Sequence, residues 1–373
     1  MIKTLELLKA GQSVWYDNIQ RRLLLNGEMT RMISQGQIRG VTSNPTIFMN
    51  AITKSQDYDG TLVPLAKSGW GAGQIYQQLA IEDIQATADL FLPLYAETAA
   101  GDGYVSLEVS PYLAHDSVAT IDEARQLWDT VNRPNLMIKI PATLAGLPAI
   151  TQAIAAGINI NATLIFARER YAQVVDAYLS GLEERLAKSL PIDQIASVAS
   201  FFVSRVDTKV DEKLHSIIRE QDSRSLAAKQ LLGKAAIANA CLAYADFKAI
   251  VSSDRFQNLA NRGAKFQRPL WASTSTKNPA YRDVIYVEEL IAPHTVNTIP
   301  PQTLEAFLDH GLVRSGSLEV NLTNAPQWLA DLEFLGISFS AVTQQLEDEG
   351  VKAFSNAYTA LLNGVENRRQ SVV

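Results

Sequence analysis

The run Leu136-Met137-Ile138-Lys139-Ile140-Pro141 sets one lysine among apolar neighbours on both sides. An amine drawn out of water gives up its proton more readily, which leaves neutral nucleophile near pH 7. Such an amine attacks a carbonyl and forms an iminium ion, an electron sink for breaking the adjacent carbon–carbon bond. The same run also suits a structural lysine paired with a carboxylate, or one whose stem snorkels to the strand end. Glu108, in Val105-Ser106-Leu107-Glu108-Val109-Ser110, can carry protons for a neighbouring lysine or merely balance its charge, and spacing does not separate the two. Asp17 follows an apolar stretch and precedes a helical pattern, so it reads either as a reactive carboxylate or as a helix N-cap. Arg205 and Lys277 can clamp a phosphate, or simply solvate the surface. Asp207, Lys209, Asp211, Glu212 and Lys213 read as a solvated helix face.

Other chemistries find little support. Cys241 is the sole cysteine, which removes intrachain disulfides, Cys₄ zinc sites and CxxC redox pairs. His115, His215, His294 and His310 are scattered without ligand spacing. No GxGxxG or GxxxxGK[ST] run is present. The expectation is a protein with no metal, nucleotide or organic cofactor.

These residues need elements to hold them. Short apolar, β-branched runs alternate with longer helical patterns, as in βαβ units around a parallel sheet. Strands are expected at Ser13–Asp17, Ile38–Ser43, Tyr104–Val109, Leu136–Ile140, Asn159–Phe166, Ser197–Val203, Leu270–Ser273 and Thr295–Ile299. Eight strands suit a closed barrel, whose active site forms at the carboxyl ends. There fall Asp17, Thr42-Ser43-Asn44-Pro45, Glu108, Lys139, Asn161 with Thr163, Ser200 with Arg205, and Ser273-Thr274-Ser275-Thr276-Lys277. Helices are expected over Trp70–Tyr95, Ala119–Thr130 with Thr120 as N-cap, and Ala167–Leu186. The interval Asp207–Phe266, with an Ala-rich helical pattern over Leu226–Ile250, reads as a helical insertion, and 314–373 as a C-terminal helical extension. The fold class is thus α/β, a (β/α)₈ TIM barrel with additional helices in a single domain over 1–373. The competing organisation is a barrel plus a small helical C-terminal domain.

Composition agrees. The 373 residues are 47% hydrophobic and 19% charged, with 39 acidic and 33 basic side chains giving a net −6. A large core is affordable and disorder is disfavoured. The mild acidity argues against nucleic acid or an anionic membrane as partner, yet a phosphorylated metabolite needs only two or three local cations. The N-terminus lacks an uninterrupted apolar region and no stretch approaches about 18 uncharged apolar residues, so a soluble, cytoplasmic protein is expected.

Several segments together resemble the transaldolase family, in its longer bacterial branch. They are Val41-Thr42-Ser43-Asn44-Pro45-Thr46, Ser106-Leu107-Glu108-Val109-Ser110 and Met137-Ile138-Lys139-Ile140-Pro141-Ala142-Thr143. Gly157–Leu164, Ser200–Asp207 and Trp271–Pro279 extend the match, which runs from about Val14 to the C-terminal region. The resemblance implies a metal-free class I aldolase on a (β/α)₈ barrel. It would move a dihydroxyacetone unit from sedoheptulose 7-phosphate to glyceraldehyde 3-phosphate in the non-oxidative pentose phosphate pathway, as monomer or homodimer.

By position, the resemblance makes Lys139 the Schiff-base lysine and Asp17 the acid/base that takes the C4 hydroxyl proton. Glu108 with Thr163 would hold the proton-shuttling water. Asn44 and Asn161 would hold the dihydroxyacetone moiety, and Ser200, Phe202 and Ser273 would line the substrate. Arg205 would bind phosphate, with Lys277 where many shorter members carry a second arginine. Ser204 and Ser275 depart from glycines expected there; no role attaches to Ser204, and Ser275 bears on loop geometry. Two alternatives stand beside this: a fructose-6-phosphate aldolase, whose members are shorter and place Tyr where this chain has Phe202, and an inactive sugar-phosphate-binding barrel.

Overall fold

The computed structural model describes residues 2–373. Among these residues seven parallel strands form: β1 (Gln12–Tyr16), β2 (Val105–Glu108), β3 (Leu136–Pro141), β4 (Ile160–Ile165), β5 (Ser197–Phe202), β6 (Arg268–Ala272) and β7 (Thr295–Ile299). They pair in the order β1-β7-β6-β5-β4-β3-β2, a curled sheet with β1 and β2 at its edges. Nearly every strand residue is buried, as parallel strands covered by crossover helices require.

The expectation of eight full strands is corrected. Ile38–Ser43 is reduced to one parallel bridge at Val41, facing Tyr16 on one side and Val105 on the other. Backbone bonds still cross both edges: Tyr16 N–H to Gly40 C=O at 2.8 Å and Thr42 N–H to Tyr16 C=O at 2.9 Å, then Val41 N–H to Tyr104 C=O at 2.9 Å and Ser106 N–H to Val41 C=O at 3.0 Å. The segment is short because Gly40 passes hard against the Trp15 indole, where a Cβ would lie 2.7 Å from the ring. At its other end Asn44 already caps the helix Pro45–Thr53, accepting from Ile47 N–H at 3.0 Å.

Three other expectations change. Asp116 rather than Thr120 caps the helix Ser117–Val131, accepting from Ala119 N–H at 3.0 Å. The pattern over Leu226–Ile250 breaks at Leu232-Gly233-Lys234 into the helices Ser225–Leu231 and Ala235–Val251, with Gly233 in the left-handed region at φ +71°. Asp207 and Asp211 are buried, not part of a solvated face. Asp207 accepts from Ala236 N–H and the Tyr286 hydroxyl, both at 2.8 Å. Asp211 accepts from the Tyr281 hydroxyl at 2.7 Å and Gly233 N–H at 3.2 Å. These two carboxylates therefore tie the helix Ser204–Glu220 to the start of the helix Ala235–Val251 and to the segment that follows β6.

After β7 come the helices Pro301–His310, Ser317–Leu322, Ala325–Phe334 and Phe339–Val372. The last runs across the carboxyl ends of the strands. Its buried stripe, including Thr343, Glu347, Gly350, Phe354, Leu361 and Val365, follows helical periodicity. Buried Arg170 grips Glu347 with both carboxylate oxygens, at 3.2 and 3.3 Å, and Arg368 holds Asp59 at 2.6 Å. Among the described residues no single helix is long and apolar enough to cross a membrane.

Candidate active site

The register of the sheet assembles the reactive groups. Glu108 pairs with Lys139, and Lys139 with Asn161, so one rung carries carboxylate, amine and amide side by side. Side chains alternate along a strand, so Thr163, opposite Pro141, projects with Asn161 two residues further toward the carboxyl end.

Lys139 is 5% exposed. Its Nζ donates to the Ser43 carbonyl at 3.1 Å and lies 3.9 Å from Glu108 Oε2. The short Val41 bridge thus has a use, since it delivers the Ser43 carbonyl to the amine. Ser43 itself is held by its hydroxyl, which donates to the Ser106 carbonyl at 2.7 Å. The ring of Phe354, from the terminal helix, stands 5.8 Å from the amine.

Neither carboxylate oxygen of Glu108 has a hydrogen-bond partner, and both are buried. Burial raises this carboxyl to about 7; Lys139 pulls it down and Asp17 adds to the rise. A group poised there can take and return a proton at neutral pH. The buried Thr163 hydroxyl is also unpartnered. Unpaired polar atoms in this setting suit a small polar molecule passing through.

Asn161 is locked between two serines. The Ser200 hydroxyl donates to its Oδ1 at 2.6 Å and its Nδ2 donates to Ser106 Oγ at 3.1 Å. Asp17, at the end of β1, is not a helix cap; the following helix, Arg21–Leu25, takes Gln20 as its N-cap. It accepts instead from the Thr42 hydroxyl at 2.6 Å. Burial raises the Asp17 carboxyl, with Lys139, Thr42 and Lys277 opposing.

A cavity of about 400 Å³ opens over this rung. Asp17, Asn44, Lys139, Ser200, Phe202 and Arg205 line it, with Ser273 and Lys277. Glu108, Asn161 and Thr163 lie outside its lining. Arg205 stacks over Phe202 at 5.6 Å and makes no hydrogen bond or ion pair among the described residues. Burial lowers the Arg205 guanidinium, and burial followed by repulsion from Arg205 lowers the Lys277 ammonium. Two cations facing one cavity, with no carboxylate paired to Arg205, gain from an anion placed between them.

Ser273 adopts φ +55°, a left-handed conformation costly for a residue with a Cβ. That bend carries the chain from β6 into the loop bearing Lys277, and Ser204 supports it. The Ser204 N–H donates to the Ser273 carbonyl and the two hydroxyls meet, each at 3.0 Å. Ser204 thus has a structural task. Ser275 Oγ accepts from Lys277 Nζ at 2.6 Å.

Sequence reasoning placed Thr42 at a strand end without giving it a role, and missed Gln20, Gln302 and Phe354 among the lining residues. Thr42 was within reach, being adjacent to Ser43 and Asn44. Phe354 carried no local signal. A second cavity, about 490 Å³, opens at the amino ends of the strands but holds none of the candidate residues. Its Asp102 is engaged by Arg39 at 2.8 Å and Arg268 at 3.3 Å. Among the described residues no group of three or more His, Cys, Asp and Glu side chains is arranged to hold a metal.

Comparison with known proteins finds relatives over nearly the whole chain. The model of the transaldolase/fructose-6-phosphate aldolase family matches residues 14–365. The chain is 45% identical over 370 residues to a transaldolase of Trichodesmium erythraeum, covering 98% of this chain and 97% of that protein. It is 48% identical over 360 residues to a transaldolase of Thermobifida fusca, with 96% of each covered. To transaldolase 1 of Streptomyces coelicolor it is 47% identical over 359 residues, 96% of this chain and 93% of the relative.

Proposed function

Since the chain belongs to the transaldolase/fructose-6-phosphate aldolase family, we propose for it the transfer of a dihydroxyacetone unit from sedoheptulose 7-phosphate to glyceraldehyde 3-phosphate. The products are erythrose 4-phosphate and fructose 6-phosphate. It is an enzyme, a transferase of the transaldolase type. The observation that carries the chemistry is the Lys139 amine, open to a cation-lined cavity and backed by an unpartnered carboxyl.

In this reading the Lys139 amine adds to the ketose C2 carbonyl. Glu108, through a water shared with Thr163, protonates the carbinolamine hydroxyl, which leaves as water and gives the iminium ion. Asp17 takes the C4 hydroxyl proton, the C3–C4 bond breaks, and the electron pair enters the iminium to form an enamine. The aldehyde product leaves. The enamine then attacks the carbonyl carbon of the acceptor, whose oxygen takes the proton back from Asp17, and water releases the new ketose. Asn44, Asn161 and Ser200 hold the hydroxyls of the three-carbon unit, and Arg205 with Lys277 holds the phosphate. Phe202 offers no hydroxyl at the cavity wall, which supports transfer over release.

The whole chain is taken as one (β/α)₈-type domain in which Arg39–Thr42 stands as the eighth stave. The final helix packed over the mouth supports this.

A coupled assay tests transfer. Fructose 6-phosphate is expected to be consumed at full rate only when erythrose 4-phosphate is supplied as acceptor. Equal turnover without it would assign the chain to the releasing aldolases. Arg205→Ala is expected to raise the KM for fructose 6-phosphate roughly 10–100-fold, with a smaller change in kcat. Unphosphorylated fructose should show no such change. An equal loss with both sugars would take the phosphate away from Arg205.

A further inference from the structure

We propose that Tyr281 is a positioning residue for the substrate phosphate. Through Asp211 it ties the loop bearing Lys277 to the helix bearing Arg205, so that the two cations face the cavity as one rigid pair. This rests on the phosphate reading of Arg205 and Lys277 above.

β6 ends at Ala272 and the next helix, Ile285–Glu288, begins only after the segment 273–284, which is neither helix nor strand. Lys277 stands in this loop, exposed to solvent. It borders two cavities: the one that holds the candidate residues, and a smaller one of about 170 Å³ that Asp207, Asp211 and Tyr281 also line. With open space on either side, an untied loop would let the ammonium wander. An anion then binds only the fraction of molecules that present it correctly, and a tenfold fall in that fraction weakens apparent affinity tenfold.

The chain here is fastened at three points, all on the helix Ser204–Glu220, whose first turn carries Arg205. Where the loop starts, Ser204 holds Ser273 through backbone and hydroxyl, each at 3.0 Å. Just past its end, Asp207 accepts from the Tyr286 hydroxyl at 2.8 Å. Between them, four residues after Lys277, the Tyr281 hydroxyl donates to Asp211 Oδ2 at 2.7 Å. Asp207 and Asp211 lie one turn apart on one helix face, and both are buried.

Local chemistry delivers the tyrosine to its acceptor. Asn278 turns the chain, its side chain accepting from Ala280 N–H at 2.9 Å and its carbonyl from Tyr281 N–H at 3.1 Å. The Thr276 hydroxyl closes the loop on the carbonyls of Arg282 at 3.1 Å and Asp283 at 3.0 Å. Gly233 makes room for the tyrosine ring, since a Cβ there would lie 2.9 Å from Tyr281 Cζ. Its N–H donates to the other Asp211 oxygen at 3.2 Å. A hydrogen bond to a carboxylate is roughly twice as strong as one between neutral groups, so this tie outweighs the hydroxyl contacts in the rest of the loop.

A double-mutant cycle in the full-length protein tests the tie, reading the KM for fructose 6-phosphate at a fixed, high concentration of erythrose 4-phosphate. Lys277→Met should raise that KM roughly tenfold. Tyr281→Phe keeps the ring on Gly233 and removes only the tie; it should raise the KM roughly 3–10-fold, with a smaller change in kcat and none in the KM for unphosphorylated fructose. In the Lys277→Met background the same change should add less than about twofold, because the group it positions is gone. A tyrosine that merely satisfied Asp211 would lower the melting temperature and leave the KM alone, and that result overturns the proposal. So does a Tyr281→Phe effect of equal size in both backgrounds. An unchanged KM in Lys277→Met overturns the phosphate reading of Lys277 instead. If Tyr281→Phe does not fold, Asp211→Asn takes its place in the cycle, since its amide replaces the charged acceptor. A KM raised roughly 2–5-fold only where Lys277 is present supports the tie, and an unchanged KM refutes it.

Discussion

Lys139→Met is expected to abolish covalent capture of substrate. Borohydride added with fructose 6-phosphate should attach the sugar to Lys139 of the wild type and leave the variant unmodified. Turnover should fall by at least roughly 10⁴-fold, because among the described residues no other buried amine borders the cavity beside a proton carrier. Methionine keeps most of the lysine stem, so the fold should persist, and an unchanged circular dichroism spectrum would show it. The change also removes the charge that draws the Glu108 carboxyl downward, so that group should titrate above about 7 in the variant. A wild-type protein that resists trapping would sink the covalent mechanism.

Glu108→Gln should trade activity for stability. Without a proton carrier, imine formation is expected to slow roughly 10²–10³-fold, and the pH dependence near 7 should vanish. The stability effect has a definite sign. Burial raises this carboxyl from an ordinary 4.5 to about 7, so between those values the folded chain keeps a proton that the unfolded chain has lost. Wild-type stability therefore falls as pH rises through that window, and above it the full cost, about 3 kcal/mol, is carried. Glutamine carries none of it but leaves Lys139 facing a neutral amide, which offsets part of the gain. Urea unfolding should find the variant more stable by about 2 kcal/mol near pH 8 and indistinguishable from wild type below about pH 4.5. Unchanged imine formation would remove Glu108 from the relay. Equal stability at high pH would contradict a strained carboxylate.

Much of the sheet could be read from apolar runs, because parallel strands buried on both faces leave little else in those positions. Thr295–Ile299 was placed to the residue, and Leu136–Ile140 and Ser197–Val203 to within one at the carboxyl end. Ile38–Ser43 failed for a tertiary reason: Gly40 passes against Trp15, a neighbour that local pattern does not reveal. The same holds for Asp207 and Asp211. Their charges resemble a wet helix face until Tyr281, Tyr286 and the start of the Ala235–Val251 helix arrive from later in the chain. At the site, the strand-borne groups were legible because register alone sets Glu108 beside Lys139 and Lys139 beside Asn161. Phe354 was not, since its partner lies 215 positions earlier and the helix pattern around it looks like any amphipathic surface helix.

The helix Phe339–Val372 has a consequence for the order of events in synthesis. All seven strands, and with them Lys139, Glu108 and Asp17, are translated before Phe354. Folding proceeds from the N-terminal side while the chain grows, so the staves can associate with the reactive amine still uncovered. The site gains its last wall only when Gly350 has docked on the end of β4 and Arg170 has found Glu347. A chain stalled before that point would carry an open amine among cellular aldehydes. The late helix therefore also marks the moment at which this chemistry becomes enclosed.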